Sequence, residues 1–248
     1  MLLSQVRETA NTLAQDNKSI DMSTAQKNSV YLLPEGYAIA RLVEYIETGM
    51  HAQEYQGQKK DPRREFRIGF ALYGEGYQKE DGTPRTISSF SMPLFNNERS
   101  KAFKLFEMMN YKKDKKNFAQ MLGDPFLVHI KHVKTSNGAM RARLDPDDVR
   151  PPIDPLSKKP YPVPEAPEEL YRVLLWDAPT MEQWKSIEIQ GTTDAGKSKN
   201  FLQEECLAAL DFAGSKLEQM LKGSLPSMTV QATSDSGLGY TEDDDPPF

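Results

Sequence analysis

The sequence contains very little cysteine, histidine or tryptophan, and no long apolar run. Its 248 residues include one cysteine, three histidines and two tryptophans. A single cysteine, Cys206, excludes an intramolecular disulfide and a cysteine-based zinc site, and it fits a cytoplasmic protein. No apolar stretch reaches the roughly 18 residues of a membrane-spanning helix, and the run at 1–3 is too short for a signal peptide. We therefore expect a soluble chain with no membrane partner.

The acidic charge is concentrated at one end of the chain. The net charge is −5, yet residues 222–248 hold five acidic residues and one basic residue, so the first 221 residues have a net charge of only −1. An acidic total argues weakly against a nucleic-acid ligand, because a basic surface is the usual signature of one. A nearly neutral body can still carry a local basic face.

An alternating stretch at 66–73 is the clearest structural signal. Phe66, Ile68, Phe70 and Leu72 share one face of a predicted strand, which indicates a half-buried sheet. The stretch at 37–49 is rich in β-branched and aromatic residues and is predicted to be the preceding strand. The polar stretch at 50–65 is predicted to be a basic loop that joins these two strands.

The predicted elements continue in an order that indicates a fold. A third strand is expected at 85–94, a helix after 96–97, a shorter helix at 118–122, and two further strands at 126–131 and 139–144. Three strands, a helix and two strands form the element order of the oligonucleotide-binding (OB) fold, a five-stranded Greek-key barrel. We therefore predict a mainly β (α+β) protein built on such a barrel, with additional strands and helices.

The remaining segments set the expected domain boundaries. Residues 1–34 are predicted to be an N-terminal arm or short helix, and 35–222 an OB-fold DNA-binding domain. Eight prolines among residues 145–167 exclude a helix or central strand there and indicate an extended strap or linker. A C-terminal helix is predicted at 200–221. From 223 to 248 the composition is small, polar and acidic, which predicts a flexible, disordered tail.

The stretch Gly191–Ser198 matches the phosphate-loop pattern G-x-x-x-x-G-K-[ST], and the alternative function is therefore a nucleotide-hydrolysing replication enzyme. Such enzymes place this loop in a parallel sheet of alternating strands and helices, a pattern that this sequence lacks. His129 and His132 would lie on opposite faces of a strand and cannot share a metal ion. No catalytic residues, cofactor or metal site are predicted.

Cationic and aromatic residues cluster around the first two predicted strands and recur on the fourth and fifth. Single-stranded nucleic acid is held by this combination, because cations follow the phosphates and aromatic rings stack on bases. The expected DNA-binding residues are Arg41, Tyr45, Tyr55, Lys59, Lys60, Arg63, Arg64, Arg67, Tyr73, Lys131, Arg141 and Arg143.

The end of the chain combines carboxylates with prolines and a terminal aromatic, in the residues Glu242, Asp243, Asp244, Asp245, Pro246, Pro247 and Phe248. This tip resembles the acidic tip of bacterial and phage single-stranded-DNA-binding proteins, except that Pro246 stands where bacterial tips usually have an aliphatic residue. The resemblance implies a phage protein that coats single-stranded DNA in the host cytoplasm during replication or recombination. It also implies that the tail recruits replication or recombination proteins. A protein-interaction adaptor without a DNA role is a further alternative.

Overall fold

The computed structural model describes residues 2–15, 31–55, 57–136, 138–193 and 196–223. The predicted acidic tail lies outside these ranges, apart from residue 223. Helix α1, Leu2–Gln15, belongs to a unit of its own that ends at Tyr31, and the sheet belongs to a second unit that begins at Leu32. Among the described residues, no helix is both long and apolar enough to span a bilayer.

The second unit is built around a seven-stranded sheet. Its strands are β1 Gly36–Tyr55, β2 Gln58–Tyr73, β3 Thr86–Ser88, β4 Met92–Pro93, β5 Pro125–Lys134, β6 Met140–Arg150 and β7 Arg172–Leu174. The hydrogen-bonded order is β3-β2-β1-β5-β6, with β4 also on β2 and β7 on β1. All pairs are antiparallel except β1–β7, which is parallel. The predicted mainly β class is confirmed, while the closed OB barrel stays a prediction.

The inner face of the sheet buries the main hydrophobic core. Phe66, Ile68, Phe70 and Leu72 all lie in this core, so the alternation read from the sequence is confirmed. Helix α2, Lys101–Met109, packs its apolar side into the same core, and the Ser100 side chain caps it by accepting a hydrogen bond from the Phe103 N–H at 3.1 Å. A 3₁₀ helix, Phe118–Met121, adds Phe118 and Met121 to the same core.

The outer face of β1 and β2 is covered as well, by the C-terminal part of the chain. A proline-rich strap, residues 160–171, contains a short 3₁₀ helix at Glu168–Leu170 and packs Val163 and Leu170 against Val43 and Ala71. Three helices follow: α3 Met181–Ser186, α4 Phe201–Leu207 and α5 Lys216–Lys222. We call the chain from Arg172 to residue 223 the C-terminal cover, because its buried side chains form a second core with Ile46 on β1.

Most of the polar stretch predicted to be a loop, namely 50–55 and 58–65, is instead strand. β1 and β2 remain paired from Met50 and Arg64 out to Tyr55 and Gln58. We call this outer part of the hairpin, 50–55 and 58–64, the hairpin arm. Its described side chains are exposed or only half-buried, so the strands need no apolar alternation and the sequence carries no alternating pattern there.

Three further predictions differ from the structure. The third strand is two short strands, β3 and β4, separated by residues 89–91. Residues 145–150, predicted to be part of the strap, continue β6, where a register shift accommodates Pro146. The single helix at 200–221 is two helices, because the turn between α4 and α5 bonds to β1: the Leu210 N–H donates to the Met50 carbonyl at 2.8 Å, and the Met50 N–H donates to Asp211 at 2.7 Å.

Candidate nucleic-acid interface

Arg41 lies beneath the proline-rich strap and not on an open surface. Its guanidinium donates to the carbonyl oxygens of Pro164 and Val163 at 2.7 and 2.6 Å and to that of Gly123 at 2.5 Å. It also pairs with the Glu165 carboxylate at 3.0 Å. These contacts use the planar fork of the guanidinium to bind three backbone carbonyls. Arg41 therefore fixes the strap on the sheet, and the structure does not expose it to a ligand.

The two tyrosines that sequence reasoning placed near the surface are buried. Tyr73 packs under the strap, and its hydroxyl donates to the Glu165 carbonyl at 3.2 Å. Tyr45 is only 2% exposed and lies in the main core. Tyr45 points into the core because a β-bulge between Leu42 and Glu44 adds one residue to β1 and reverses the side-chain alternation beyond it. Tyr55 is described only by its backbone, at the end of the hairpin arm.

Arg64 and Arg67 hold the C-terminal cover in place. The Arg64 guanidinium forms two hydrogen bonds with the Asp177 carboxylate, at 2.6 and 3.1 Å, and these bonds lower the pKa of Asp177. Arg67 pairs with Glu205 at 3.1 Å, and its guanidinium also lies over the Phe201 ring. Both predicted DNA-binding arginines are thus engaged in contacts between strand β2 and the cover.

The hairpin arm carries the open cations. Lys59 and Lys60 are exposed near its tip, opposite Glu54 and Gln53 on the partner strand. Arg63, at its base, lies over the ring of Phe95 with 3.8 Å between the guanidinium carbon and the ring centroid. These three predicted residues stand together on one projecting element.

A second projecting hairpin, β5–β6, carries the other predicted cations. Lys131 lies opposite Arg143, and Arg141 lies opposite Val133. The Lys131 ammonium pairs with the buried Asp145 carboxylate. The Arg143 guanidinium lies 4.3 Å from the ring centroid of Phe90. An arginine stacked on an exposed phenylalanine therefore occurs next to each of the two hairpins.

Phe90 and Phe95 are the residues that sequence reasoning missed. They are 48% and 38% exposed, and they lie on one extended segment, 88–95, that follows β2 towards the hairpin arm. The Ser89 N–H donates to the Ile68 carbonyl at 2.7 Å, and the Leu94 N–H donates to the Arg64 carbonyl at 2.7 Å, so both ends are fixed. We call Phe90, Phe95 and their covering arginines, Arg143 and Arg63, the aromatic strip.

A signal for these two residues does exist in the sequence. In the stretch 85–95 the two phenylalanines are spaced by five, and residues that alternate on a strand are spaced by even numbers. Pro93, between them, is compatible only with an edge strand or a bulge. An aromatic pair that breaks alternation on a proline-containing edge indicates rings outside the core.

The His129 side chain meets two acidic side chains on the outer face of β5–β6. One ligand atom from each of His129, Asp145 and Asp148 lies within 4.8 Å of the others. Lys131 and Arg150 already pair with the two carboxylates, and the Tyr37 hydroxyl donates to Asp148 at 2.5 Å. The chain's own cations thus balance this cluster, and it carries no case for a metal ion.

These pairs predict a loss of stability in acid. Burial opposes ionisation of Asp145 and Asp148, but it is outweighed by the combined hydrogen bonds and charges of their neighbours, led by Lys131 for Asp145 and Arg150 for Asp148, so each pKa lies below its ordinary value of 3.8. A carboxyl with a lowered folded-state pKa stabilises the fold above its ordinary pKa, and that stability is lost as pH falls through the folded value. Urea unfolding below about pH 4 should therefore show a falling free energy of unfolding. Asp145→Asn should make that fall shallower; an unchanged acid profile would contradict this assignment.

In the stretch Gly191–Ser198, the described residues 191–193 lie against 196–198, and Thr192 pairs with Ser198. The N–H groups of Gly196 and Lys199 donate to the carbonyl oxygens of Thr193 and Gly191, at 2.8 and 3.0 Å. A phosphate loop needs such amides to point at its ligand, and here the N–H groups of Thr193, Gly196, Lys197 and Lys199 donate within this stretch instead. The surrounding sheet is antiparallel apart from β1–β7. The geometry gives the nucleotide-hydrolysis alternative no support.

Comparison with known proteins does not assign the chain. No protein-family model matches the sequence, and no curated protein matches it either. The interface must therefore be judged on its own chemistry. That chemistry is two hairpins that carry cations, of which Lys59 and Lys60 are exposed, and a fixed edge between the hairpins that carries two exposed rings under arginines.

Proposed function

We propose that this protein binds single-stranded DNA, with little sequence preference, and is not an enzyme. The aromatic strip carries the proposal. Exposed aromatic rings stack on unpaired bases of any type, and arginine and lysine side chains follow the phosphates. In a duplex the base faces are stacked on one another, so rings that project from a sheet edge favour a single strand.

The arrangement of elements supports an OB-type barrel. When β3 and β4 are counted as one interrupted strand, the order is strand, strand, strand, helix, strand, strand. OB folds bind oligonucleotides on the face of their second and third strands, between the loops that join strands 1–2 and 4–5. The hairpin arm and the β5–β6 hairpin correspond to those loops, and the aromatic strip lies on that face. The contact of Arg143 on β6 with Phe90 after β3 brings the two end strands of the sheet together.

The acidic tip supports a role in a larger assembly. Residues 242–248 resemble the tip of phage and bacterial single-stranded-DNA-binding proteins, although they lie outside the described residues. We propose that the tip recruits replication or recombination proteins, with Phe248 entering an apolar pocket and the carboxylates steering the approach. The body would then coat DNA while the tail holds the partner nearby.

The first test is a binding titration with a single-stranded oligonucleotide across a salt series. We expect tight binding that weakens with salt, with a slope of log K against log salt of roughly −0.7 for each phosphate neutralised. Lys59→Ala with Lys60→Ala should make the slope shallower, because fewer phosphates are then neutralised. The matched control is Lys158→Ala with Lys159→Ala, two exposed lysines beyond β6.

The titration, together with an ATP hydrolysis assay, separates the proposed function from its alternatives. An adaptor protein without a DNA role would not bind the oligonucleotide at any salt concentration. Binding with a flat salt response would contradict an electrostatic groove. Release of phosphate from ATP that depends on Lys197 would favour the nucleotide-hydrolysing alternative.

A further inference from the structure

A pocket of about 450 Å³ opens next to Phe95, at the hairpin-arm end of the aromatic strip. It lies between β1, helix α2 and the 3₁₀ helix, and five of its eleven lining residues are aromatic. The side chains that matter here are Tyr45, Phe95, Asn96, Phe103, Lys116 and Phe118. Its volume is within the usual range for small-molecule sites and is sufficient for one nucleotide.

The pocket has a rigid aromatic floor. The Phe118 ring stacks with Tyr45 at a centroid distance of 6.1 Å and meets Phe106 edge-on at 5.3 Å. Phe103 lies one turn before Phe106 on α2 and is only partly buried. Tyr45 and Phe118 are themselves buried and form the fixed floor, while the partly buried rings of Phe103 and Phe106 offer the stacking surface to a planar ligand.

Polar groups converge on the same space. The Glu47 carboxylate accepts one hydrogen bond from the Tyr45 hydroxyl at 2.8 Å and another from the backbone N–H of Trp176 at 2.9 Å, so it is fixed in position. Burial, followed by the neighbouring Glu47, raises the pKa of Tyr45, which keeps its hydroxyl protonated. Asn117 caps the 3₁₀ helix through its Oδ1, and its amide group also carries two donors. Donors and acceptors inside an aromatic pocket suit the edge of a nucleobase.

Lys116 adds a positive charge to this arrangement. Its side chain lines the pocket and is exposed, and Lys112, Lys113 and Lys115 lie on the same turn. A ligand that combines a planar ring with an anionic group would therefore bind with its ring inside the pocket and its negative charge at Lys116. A nucleotide has this shape, whereas an uncharged aromatic ligand would leave the cation unused.

We propose that this pocket binds one unstacked nucleobase of the bound single strand, with its phosphate at Lys116. The proposal rests on the DNA-binding function proposed above. Continuity with the strip supports it, because Phe95 both lines the pocket and stacks with Arg63. A strand that crosses Phe90 and Phe95 reaches the pocket with its next base.

The test is photocrosslinking of the full chain to a 12-nucleotide strand in which every base is 5-iododeoxyuridine, followed by mapping of the attached peptides. We expect crosslinks at Phe90 and Phe95 and also at Phe103. Asn96→Trp, which places a large ring at an exposed position in the pocket wall, should abolish the Phe103 crosslink and leave the Phe90 crosslink. Phe103→Ala should weaken binding roughly tenfold, since one stacking contact is removed. Phe212→Ala, in the C-terminal cover, is the matched control and should not weaken it.

The possible failures are distinguishable. Crosslinks at Phe90 without any in the pocket would overturn the pocket proposal and leave the DNA-binding function standing. The absence of both DNA binding and crosslinks would overturn the proposed DNA-binding function itself. A Phe103 crosslink that forms only after residues 241–248 are deleted would assign the pocket to the acidic tip and overturn its assignment to a base. Thermal unfolding of each variant shows whether it has folded.

Discussion

Replacing Phe90 and Phe95 together by alanine should weaken the binding of a single-stranded oligonucleotide by about a hundredfold or more. Each ring is exposed and fixed on the edge segment, so its loss removes a stacking platform without opening the core. Stacking is worth about 1–3 kcal/mol per base, and every 1.4 kcal/mol changes affinity tenfold. Fluorescence anisotropy with a labelled oligonucleotide at fixed salt measures the effect.

The comparison variant for this experiment is Leu210→Ala. Leu210 is 62% exposed in the turn between α4 and α5 and is not part of the strip, so its loss should leave DNA affinity unchanged. The double phenylalanine variant should also keep the salt slope of the parent, because no cation is removed. Equal DNA affinity in the parent and the double variant would remove the main support for the proposed interface.

The largest effect on stability is expected for Gly49→Ala. Gly49 has φ +91°, and a Cβ there would lie 2.5 Å from the Ala209 Cβ and 2.6 Å from the Trp176 ring. The left-handed backbone costs a residue with a side chain about 1–2 kcal/mol, and overpacking costs about 1–3 kcal/mol more. Urea unfolding should therefore show a loss of about 2–5 kcal/mol, and the fluorescence of Trp176 should change as the C-terminal cover moves from β1.

Gly82→Ala separates the two costs. Gly82 has a similar φ of +81°, but no atom lies within 4 Å of the position of its Cβ. This variant should lose only the backbone contribution of about 1–2 kcal/mol. If both variants lose the same stability, the close packing of Gly49 against the cover is not what requires glycine there.

The sequence predicted the elements that are repetitive and failed where distant segments meet. Alternation at Phe66–Leu72 identified the inner face of β2, because one buried face imposes a period of two. The predicted order of strands and helices in residues 37–144 also matches the observed order when β3 and β4 are counted as one strand. Arg41 and Tyr73 were misplaced because the strap that covers them is more than 85 residues away in sequence, and no local pattern reports such a contact.

The candidate site was recovered only in part for a similar reason. Lys59, Lys60 and Arg63 lie on a projecting hairpin, as their polar surroundings suggest, although the hairpin is strand and not loop. Tyr45 was placed on the wrong face because a bulge leaves no mark in residue composition. Phe90 was read as an ordinary strand residue and Phe95 was assigned no role, since exposure of an aromatic ring depends on what packs beside it.

Strand β1 also determines when the protein can finish folding as it leaves the ribosome. Residues 44–46 of β1 pair with β7 at residues 172–174, about 130 positions later. At a synthesis rate of about 5–20 residues per second, that side of β1 waits roughly 6–25 seconds for its partner. During this interval Val43, Ile46 and Ala71 lack their apolar cover. The nascent chain thus exposes an apolar sheet face for several seconds. A chaperone that holds unfolded chains could bind this face during translation.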